Sequence, residues 1–446
     1  MDRWRRIAWG ALGVLGVATV VSVAVTMPWR PLGRAVPHPV APDAARDFTP
    51  EEIHRAEALS HALNGPAYGA LAAGLVVAAA LGFTPLGARL FGRLTARIPF
   101  RTARVAAAGL VMALVTALVA LPFAAWSYRV RVRHGLTTQG WPAWLGDQAT
   151  AFGVVAVTTV LVLVLGCALI RALPRTWFAP AAAAAFALVV GVSFVYPSVI
   201  EPLYNSFTPM RAGPLRTQLM NLARHDGVPV RDVLVADASR RTTTVNAYVS
   251  GFGATRRIVV YDTLLRTTPP AQIRLIVAHE LGHAKHDDVL HGTLVGALGA
   301  AAGVCLLYLF VTAEPVRRRT GVTRPSRPGP APGRHGSAGL ADARGVALLV
   351  ATVTVGTLLS TPAQNLVSRR IEARADVHSL NLTRDPVTFT RMQHALALRN
   401  LSDPEPNAFD YLMYGSHPTP PQRIALARDW ARTHHHPVPP NLAPHR

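Results

Sequence analysis

The sequence predicts a mainly α-helical, polytopic membrane protein of about seven helices that carries an α+β domain with a metal site. Half of the 446 residues are hydrophobic and only 15% are charged, whereas soluble domains carry about 25% charged residues. Several apolar runs approach the roughly 20 residues that cross a bilayer as a helix. The metal site is indicated by His279 and His283, which are four residues apart and are separated by Glu280, Leu281 and Gly282.

Seven apolar runs are predicted to form the membrane helices, at 7–27, 66–83, 103–126, 152–173, 178–200, 289–312 and 346–367. The run at 66–83 is the shortest and the run at 178–200 contains a proline near its end, so six helices are the alternative. The first run follows Arg3, Arg5 and Arg6, as in a signal peptide. It is long for a signal sequence and lacks a small-residue cleavage site, so we expect it to be retained.

The formal net charge of +21 comes almost entirely from arginine. Arginines such as Arg89, Arg93 and Arg97 flank the apolar runs, which favours lipid headgroups over nucleic acid as their partner. We therefore expect a lipid bilayer and no nucleic acid. The two cysteines, Cys167 and Cys305, lie inside apolar runs and form no metal-binding pair, which excludes a cysteine-based zinc site.

His279 and His283 share one face of a helix, so both imidazoles can bind one zinc ion. Glu280 is offset around the helix and can act as the general base toward a water that zinc acidifies. The apolar residues at 273–278 predict that the motif lies on a helix. Two histidines on a buried helix can also be hydrogen-bonded core residues. The glutamate and a third ligand downstream favour zinc, one ion per chain.

The third ligand is predicted to be Glu372, because catalytic zinc usually has three protein ligands and one open position. Asp376 lies one turn further on and is expected to accept the free ring N–H of a liganding histidine. The alternative is an ordinary amphipathic helix in which both carboxylates pair with arginines. His286 is too close to the motif along the chain to complete a tetrahedral site comfortably.

Two β-rich segments at 245–249 and 257–261, separated by Gly251 and Gly253, predict a strand hairpin beside the metal helix. We divide the chain into membrane helices one to five (1–200), a catalytic domain with this hairpin and the HExxH helix (201–288), membrane helix six (289–313), a disordered loop rich in arginine, proline and glycine (314–344), membrane helix seven (345–367), a third-ligand helix with a C-terminal catalytic segment (368–430) and a flexible tail (431–446).

These motifs resemble the integral-membrane zinc metallopeptidases of the CAAX prenyl protease 1 family, which cleave C-terminally prenylated proteins. The resemblance covers 202–424 and is carried by Pro-Leu-Tyr-Asn-Ser-Phe-Thr-Pro at 202–209, Asn-Ala-Tyr-Val-Ser-Gly-Phe-Gly at 246–253, the strand at 257–265, the HExxH motif, the Glu372 segment and Ser-His-Pro at 416–418. The arginine- and proline-rich loop and the histidine-rich C-terminus depart from the family's pattern.

The resemblance implies roles for ten residues. Zinc would be bound by His279, His283 and Glu372, with Glu280 and His417 catalytic, Asp376 behind a ligand, and Asn246, Ala247, Tyr248 and Arg423 binding substrate. His417 would stabilise the oxyanion; without the family it is more simply a loop histidine beside a proline. The substrate would pair with the edge strand at Asn246.

The function expected is a membrane zinc metalloendopeptidase, either CAAX-protease-like or active in membrane protein quality control, on a hydrophobic or membrane-associated peptide. The alternative is a metalloprotease-like signal transducer, whose sensor domain needs a Ser-x-x-Lys motif. The one lysine of the chain, Lys285, has Gly282 and not serine three residues before it, so this motif is absent. A channel or transporter with a structural metal would not need Glu280. The resemblance implies a multi-pass cell-membrane protein with a cytoplasmic catalytic face, whereas its arginine distribution favours the opposite orientation.

Overall fold

The computed structural model describes residues 3–33, 35–322 and 339–443. The first helices are α1 (Arg3–Thr26), α2 (Ala44–Asp47), α3 (Pro50–Val77), α4 (Pro85–Leu94), α5 (Arg101–Arg133), α6 (Trp141–Ala172), α7 (Phe178–Val195) and α8 (Glu201–Tyr204). The others are α9 (Pro214–Asp226), α10 (Asp262–Thr267), α11 (Pro270–Lys285), α12 (Asp288–Val311), α13 (Glu314–Arg319), α14 (Ala343–Thr383), α15 (Pro386–Asn400), α16 (Ala408–Met413) and α17 (Pro420–Thr433).

Seven of these helical segments are long and apolar enough to cross a membrane, which confirms the predicted number within the described residues. They are α1, α3 with its π-helical extension to Gly82, α5, α6, α7 continued through α8, α12 and α14. Small and apolar side chains from all seven form one buried core, including Val105, Cys167, Phe178, Ala301 and Val346. The protein is therefore a multi-pass membrane protein whose bundle has its own packed interior.

A four-stranded sheet packs with α9, α10 and α11 beside the bundle. Its strands are β1 (Phe207–Pro209), β2 (Asp232–Ala236), β3 (Ala247–Ser250) and β4 (Arg257–Tyr261), in the order β1-β2-β4-β3. A second core joins the sheet to the helices and contains Val233, Ile258, Leu264, Leu281 and Trp430, all nearly inaccessible to solvent. The predicted combination of a membrane bundle with a small α+β domain is thus confirmed.

The predicted hairpin is formed by β3 and β4, which pair in antiparallel register from Ala247 opposite Val260 to Ser250 opposite Arg257. Gly251 permits the turn, since its φ of 92° is left-handed backbone that side chains rarely adopt. β3 is the last strand of the sheet, so its outer edge has no strand partner among the described residues.

α14 is one continuous helix of 41 residues, although the sequence suggested a boundary between 367 and 368. Its length of about 60 Å is twice the roughly 30 Å thickness of a bilayer's hydrocarbon core. The apolar first half crosses the membrane and the charged second half enters the catalytic domain. The seventh membrane helix and the third-ligand helix are therefore one continuous helix, with Pro362 inside it.

All seven membrane helices run between two ends of the bundle, which we call the catalytic end and the distal end. The distal end consists of the start of α1, the connections at 83–100 and 173–177, and the described residues between α12 and α14. Contacts join these parts: Arg5 donates to Thr312 Oγ1 at 2.7 Å and Arg171 donates to the carbonyl of Ala341 at 3.0 Å. The sheet, α9–α11 and α15–α17 all lie at the catalytic end.

Two predicted flexible segments differ from expectation in their described parts. The loop at 314–344 begins with α13, and α14 starts within it at Ala343; its centre at 323–338 lies outside the described residues. In the tail, His434 stacks on Trp430 with ring centroids 4.4 Å apart, and Arg428 donates to the carbonyl of Pro440 at 2.9 Å. Composition did not predict these contacts, because they depend on packing against α17.

Candidate active site

The two histidines of the HExxH motif lie on α11, whose buried face anchors them in the catalytic core. Ile273, Val277 and Leu281 are almost fully buried on this helix. The Nε2 atoms of His279 and His283 lie 3.2 Å apart and face the same space. Helical spacing thus produces the convergence that it predicted.

Glu372 on α14 completes this group from the opposite side. Its Oε2 lies 3.3 Å from Nε2 of His279, and its Oε1 lies 3.6 Å from Nε2 of His283. One ligand atom from each of the three residues falls within 4.8 Å of the others, a spacing that a metal ion can bridge. Among the described residues this is the one such group of three or more side chains.

The chemistry of the three residues fits a bound cation. Oε2 of Glu372 is buried and has no hydrogen-bond partner among the described residues, although an unpaired buried carboxylate oxygen is costly. Burial by itself lowers the pKa of His279, but its hydrogen bond with Asp376 and the adjacent Glu372 carboxylate raise that pKa to about 10. The pocket therefore favours positive charge at the position where the three ligand atoms meet.

Each histidine has a carboxylate on its other ring nitrogen. Nδ1 of His279 lies 2.9 Å from Oδ1 of Asp376, as predicted from the sequence. Nδ1 of His283 lies 2.9 Å from Oδ2 of Asp288, which sequence reasoning missed. These contacts select the tautomer that leaves both Nε2 atoms free as metal ligands.

Asp288 was missed because it is the first residue of α12. Asp287, whose backbone is left-handed, separates α12 from α11. The helical periodicity that places residues of α11 on one face does not extend across that break. The available signal was the general pairing of metal-binding histidines with carboxylates, which calls for a second acidic residue near the motif.

Two arginines pair with these carboxylates in turn. Arg423 Nε donates to Asp376 Oδ2 at 2.8 Å, and Arg374 pairs with Asp288. Arg423 lies in the cleft wall, but its guanidinium is engaged by Asp376, a contact that the predicted substrate-binding role did not include. Each of the two histidines is thus supported by one carboxylate, and each carboxylate is paired with one arginine.

The metal site opens into a cleft of about 720 Å³. Six of the predicted site residues line it: Asn246, His279, Glu280, Glu372, His417 and Arg423. Burial raises the pKa of Glu280, which suits a carboxylate that accepts a proton near neutral pH.

His417 reaches the cleft from the loop before α17. Its Nε2 lies 3.5 Å from Oε1 of Glu372, and its Nδ1 lies 2.9 Å from Oγ of Ser416. Its side chain is 60% exposed, and partial burial lowers its pKa. The histidine is close enough to the metal group to contact a molecule bound there.

The edge strand β3 continues from the cleft wall at Asn246. Tyr261 N donates to the carbonyl of Asn246 at 3.0 Å, so the main-chain groups of Asn246, Tyr248 and Ser250 face β4. By the alternation of an antiparallel pair, the main-chain groups of Ala247 and Val249 point to the open edge. Ala247 and Tyr248 themselves do not line the cleft.

Comparisons with known proteins agree with this geometry. The sequence profile of peptidase family M48 matches residues 209–431, and the profile described as the CAAX prenyl protease N-terminal region of five membrane helices matches residues 70–206. A metalloprotease of Bacillus subtilis described as uncharacterized, YhfN, is 30% identical over 332 residues, covering 74% of this chain and 75% of the relative.

A CAAX prenyl protease 1 homolog of Oryza sativa is also 30% identical, over 251 residues. That match spans 55% of this chain and 54% of the rice protein. The crystal structure of Ste24p from S. mikatae has the same fold, with a TM-score of 0.70 at 20% identity over 96% of this chain and 99% of that chain. By sequence, site and architecture, the chain belongs to peptidase family M48 and is a membrane metallopeptidase related to the CAAX prenyl proteases.

Proposed function

We propose that the protein is a zinc-dependent endopeptidase of the cell membrane, with His279, His283 and Glu372 holding one zinc ion. The observation that carries the proposal is the convergence of two imidazole nitrogens and a buried carboxylate, one of whose oxygens has no hydrogen-bond partner, beside Glu280 in an open cleft. Two nitrogens and one oxygen are a common ligand set of catalytic zinc.

Zinc, when bound, would supply a Lewis acid that polarises the scissile carbonyl and acidifies water. Glu280 accepts the proton of the attacking water on its carboxylate and then donates it to the leaving amine nitrogen. The raised pKa of Glu280 supports both steps, because the carboxylate must gain and lose a proton in each cycle. His417 is positioned to donate a hydrogen bond to the developing oxyanion.

The substrate that suits this cleft is an extended, apolar peptide segment. The open edge of β3 offers the main-chain groups of Ala247 and Val249 for pairing with an added strand. Ile276, Met392 and Leu396 supply apolar surface to the cleft wall. Both CAAX-type processing, after which several relatives are named, and removal of damaged membrane proteins are compatible with such a substrate.

The catalytic assignment is tested with Glu280→Gln in purified protein. The amide cannot accept a proton, so we expect cleavage of an apolar reporter peptide to fall by at least 10²-fold, while metal analysis still finds one zinc per chain. Glu372→Ala is the matched variant and should lose metal and activity together. Wild-type cleavage by Glu280→Gln would remove Glu280 from the mechanism, and full zinc in Glu372→Ala would move the third ligand elsewhere.

The substrate assignment is tested with one peptide prepared in three forms: unmodified, prenylated, and N-methylated at successive backbone amides. Pairing with β3 predicts that the unmodified peptide is cleaved and that methylation at alternate positions blocks cleavage, because it removes an N–H from the ladder. Strict dependence on the prenyl group would instead establish CAAX processing. Equal tolerance of methylation at every position would contradict strand pairing.

A further inference from the structure

The distal end of the bundle gathers arginines from separate parts of the chain. Arg3, Arg5 and Arg6 begin α1, and Arg317–Arg319 close α13. The bond from Arg5 to Thr312 joins the start of α1 to the end of α12, two residues before α13 begins. Sequence alone leaves them more than 300 residues apart.

The connection between α3 and α5 extends this basic surface and adds a face suited to lipid. α4 exposes Leu86, Leu90 and Leu94, with exposed fractions of 52%, 36% and 56%, on one side of the helix. Its opposite side, including Phe91, is buried, and Gly87 is packed so closely that an added Cβ would lie 2.8 Å from Ala347 Cβ. The helix is therefore fixed to the bundle with its leucines facing outward.

Arginines lie around the leucines of α4. Arg89 and Arg93 are exposed on the helix itself, Arg97 follows it, and Arg101 is the exposed first residue of α5. A short helix with an outward leucine row and exposed arginines is typical of a segment that lies at the boundary of acyl chains and headgroups.

Few carboxylates neutralise this end. The described residues of the distal end contain two, Glu314, which pairs with Arg318, and Asp342, which caps α14. At the catalytic end, by contrast, arginines are repeatedly paired, as in Arg216–Asp232, Arg241–Asp147 and Arg428–Asp47. Among the described residues, arginines thus outnumber carboxylates far more at the distal end than at the catalytic end.

We infer that the distal end is an anionic-lipid surface that faces the cytoplasmic leaflet, so that the catalytic cleft opens on the opposite, outer side of the membrane. Short connections rich in arginine are retained on the cytoplasmic side, where anionic phospholipids also attract them. The connections of the distal end are short, whereas the long catalytic segments have little weight in this rule.

This orientation is the reverse of the one implied by the family resemblance. It limits the substrates of the proposed peptidase to segments that are exposed outside the cytoplasm or are leaving the membrane toward that side. Only this limit on substrates rests on the proposed function, because the orientation itself is measured without any assay of activity.

Orientation is tested by labelling single cysteines in intact cells. Cys167→Ala and Cys305→Ala remove the buried native thiols, and one new cysteine is then introduced in the full chain at an exposed position, Gln218→Cys at the catalytic end or Thr102→Cys at the distal end. A membrane-impermeant maleimide should label Gln218→Cys before lysis and Thr102→Cys only after it. The reverse pattern, or equal labelling of both before lysis, overturns the inference.

The lipid surface is tested by thermal unfolding in nanodiscs of phosphatidylcholine with or without phosphatidylglycerol. Phosphatidylglycerol should raise the unfolding midpoint of the wild type, and Arg89→Gln/Arg93→Gln/Arg97→Gln should lose at least half of that increase. The matched control, Arg129→Gln/Arg131→Gln/Arg133→Gln at the catalytic end of α5, should keep it. An equal loss in both variants, or no increase in the wild type, contradicts an anionic-lipid surface at the distal end.

Discussion

At the residue scale, the metal site depends as much on the side chains behind the histidines as on the ligands. Asp376 and Asp288 each fix one imidazole, and each carboxylate is paired with an arginine. Because both carboxylates are buried, their charges need these partners. The arginines therefore allow two negative charges to be placed beside the histidines without an unpaired charge in the core.

Asp288→Asn is expected to weaken zinc binding by about 10- to 100-fold, because an uncharged amide holds the ring N–H of His283 less firmly than the carboxylate does. Competition with a chelator of known affinity measures the change. Asp287→Asn is the matched control, since Asp287 is adjacent in sequence but pairs with Arg256 away from the histidines. Equal affinity of the two variants would show that the contact between Asp288 and His283 does not support the metal.

Some residues of the site could be predicted from the sequence and others could not. Helical spacing was sufficient for His279, His283 and the placement of Glu372 and Asp376 on one face of α14. It failed for Asp288, which lies across a helix break, and it did not show that Arg423 pairs with Asp376. Contacts made across tertiary structure have no local periodicity to reveal them.

At the element scale, the ligands meet because α11 and α14 cross closely at Gly282. A Cβ added at this glycine would lie 2.9 Å from Cβ of His378, which is closer than side-chain carbons normally approach. Ser379 Oγ also donates to the carbonyl of Leu275 at 2.8 Å along the same crossing. The absence of a side chain at Gly282 thus sets the distance between the two histidines on α11 and Glu372 on α14.

Gly282→Ala should therefore weaken zinc binding even though alanine favours helix formation by about 1 kcal/mol. The added methyl group separates α11 from α14, and we expect a net loss of stability of about 1–3 kcal/mol from overpacking. Thermal unfolding and chelator competition measure the two effects. Gly292→Ala on α12 has open space around its Cβ and should show neither effect. Unchanged metal affinity in Gly282→Ala would mean that the crossing can relax.

Among the elements, the hairpin and the membrane helices were predictable because alternation and long apolar runs are local signals. The continuity of α14 was not predicted, because its composition changes from apolar to charged near Ser368 while its helical backbone continues to Thr383. The change of composition marks where the helix leaves the membrane and does not mark where it ends.

At the scale of the whole molecule, the segment between α1 and α3 fastens the catalytic domain to the bundle. Asp47 on α2 and Arg428 on α17 form a salt bridge of 2.5 Å, and the two residues are exposed by only 1% and 4%. Val40 N donates to Asp429 at 3.0 Å in the same contact region. The catalytic domain is therefore tied to the N-terminal part of the chain through its last helix.

Asp47→Asn should destabilise the protein by about 3 kcal/mol, because it leaves the Arg428 charge buried without its partner. The destabilisation is measured as a lower midpoint of thermal unfolding in detergent. Asp47→Asn/Arg428→Met removes the stranded charge and should recover part of the loss. Arg46→Gln, beside this pair but more exposed, is the control and should change stability little. A double variant no more stable than Asp47→Asn would argue against a stranded charge as the cause.

The continuity of α14 also makes the helix a lever. Glu372 lies 29 residues beyond Ala343, about 44 Å along the axis, so a tilt of about 1° pivoted at the distal end displaces the carboxylate by about 0.8 Å. Membrane helices change tilt when the thickness of the surrounding bilayer changes. If α14 tilts as one body past Pro362, we expect the distance between Glu372 and the two histidines to depend on bilayer thickness, which would give the lipid environment a mechanical route to the metal site.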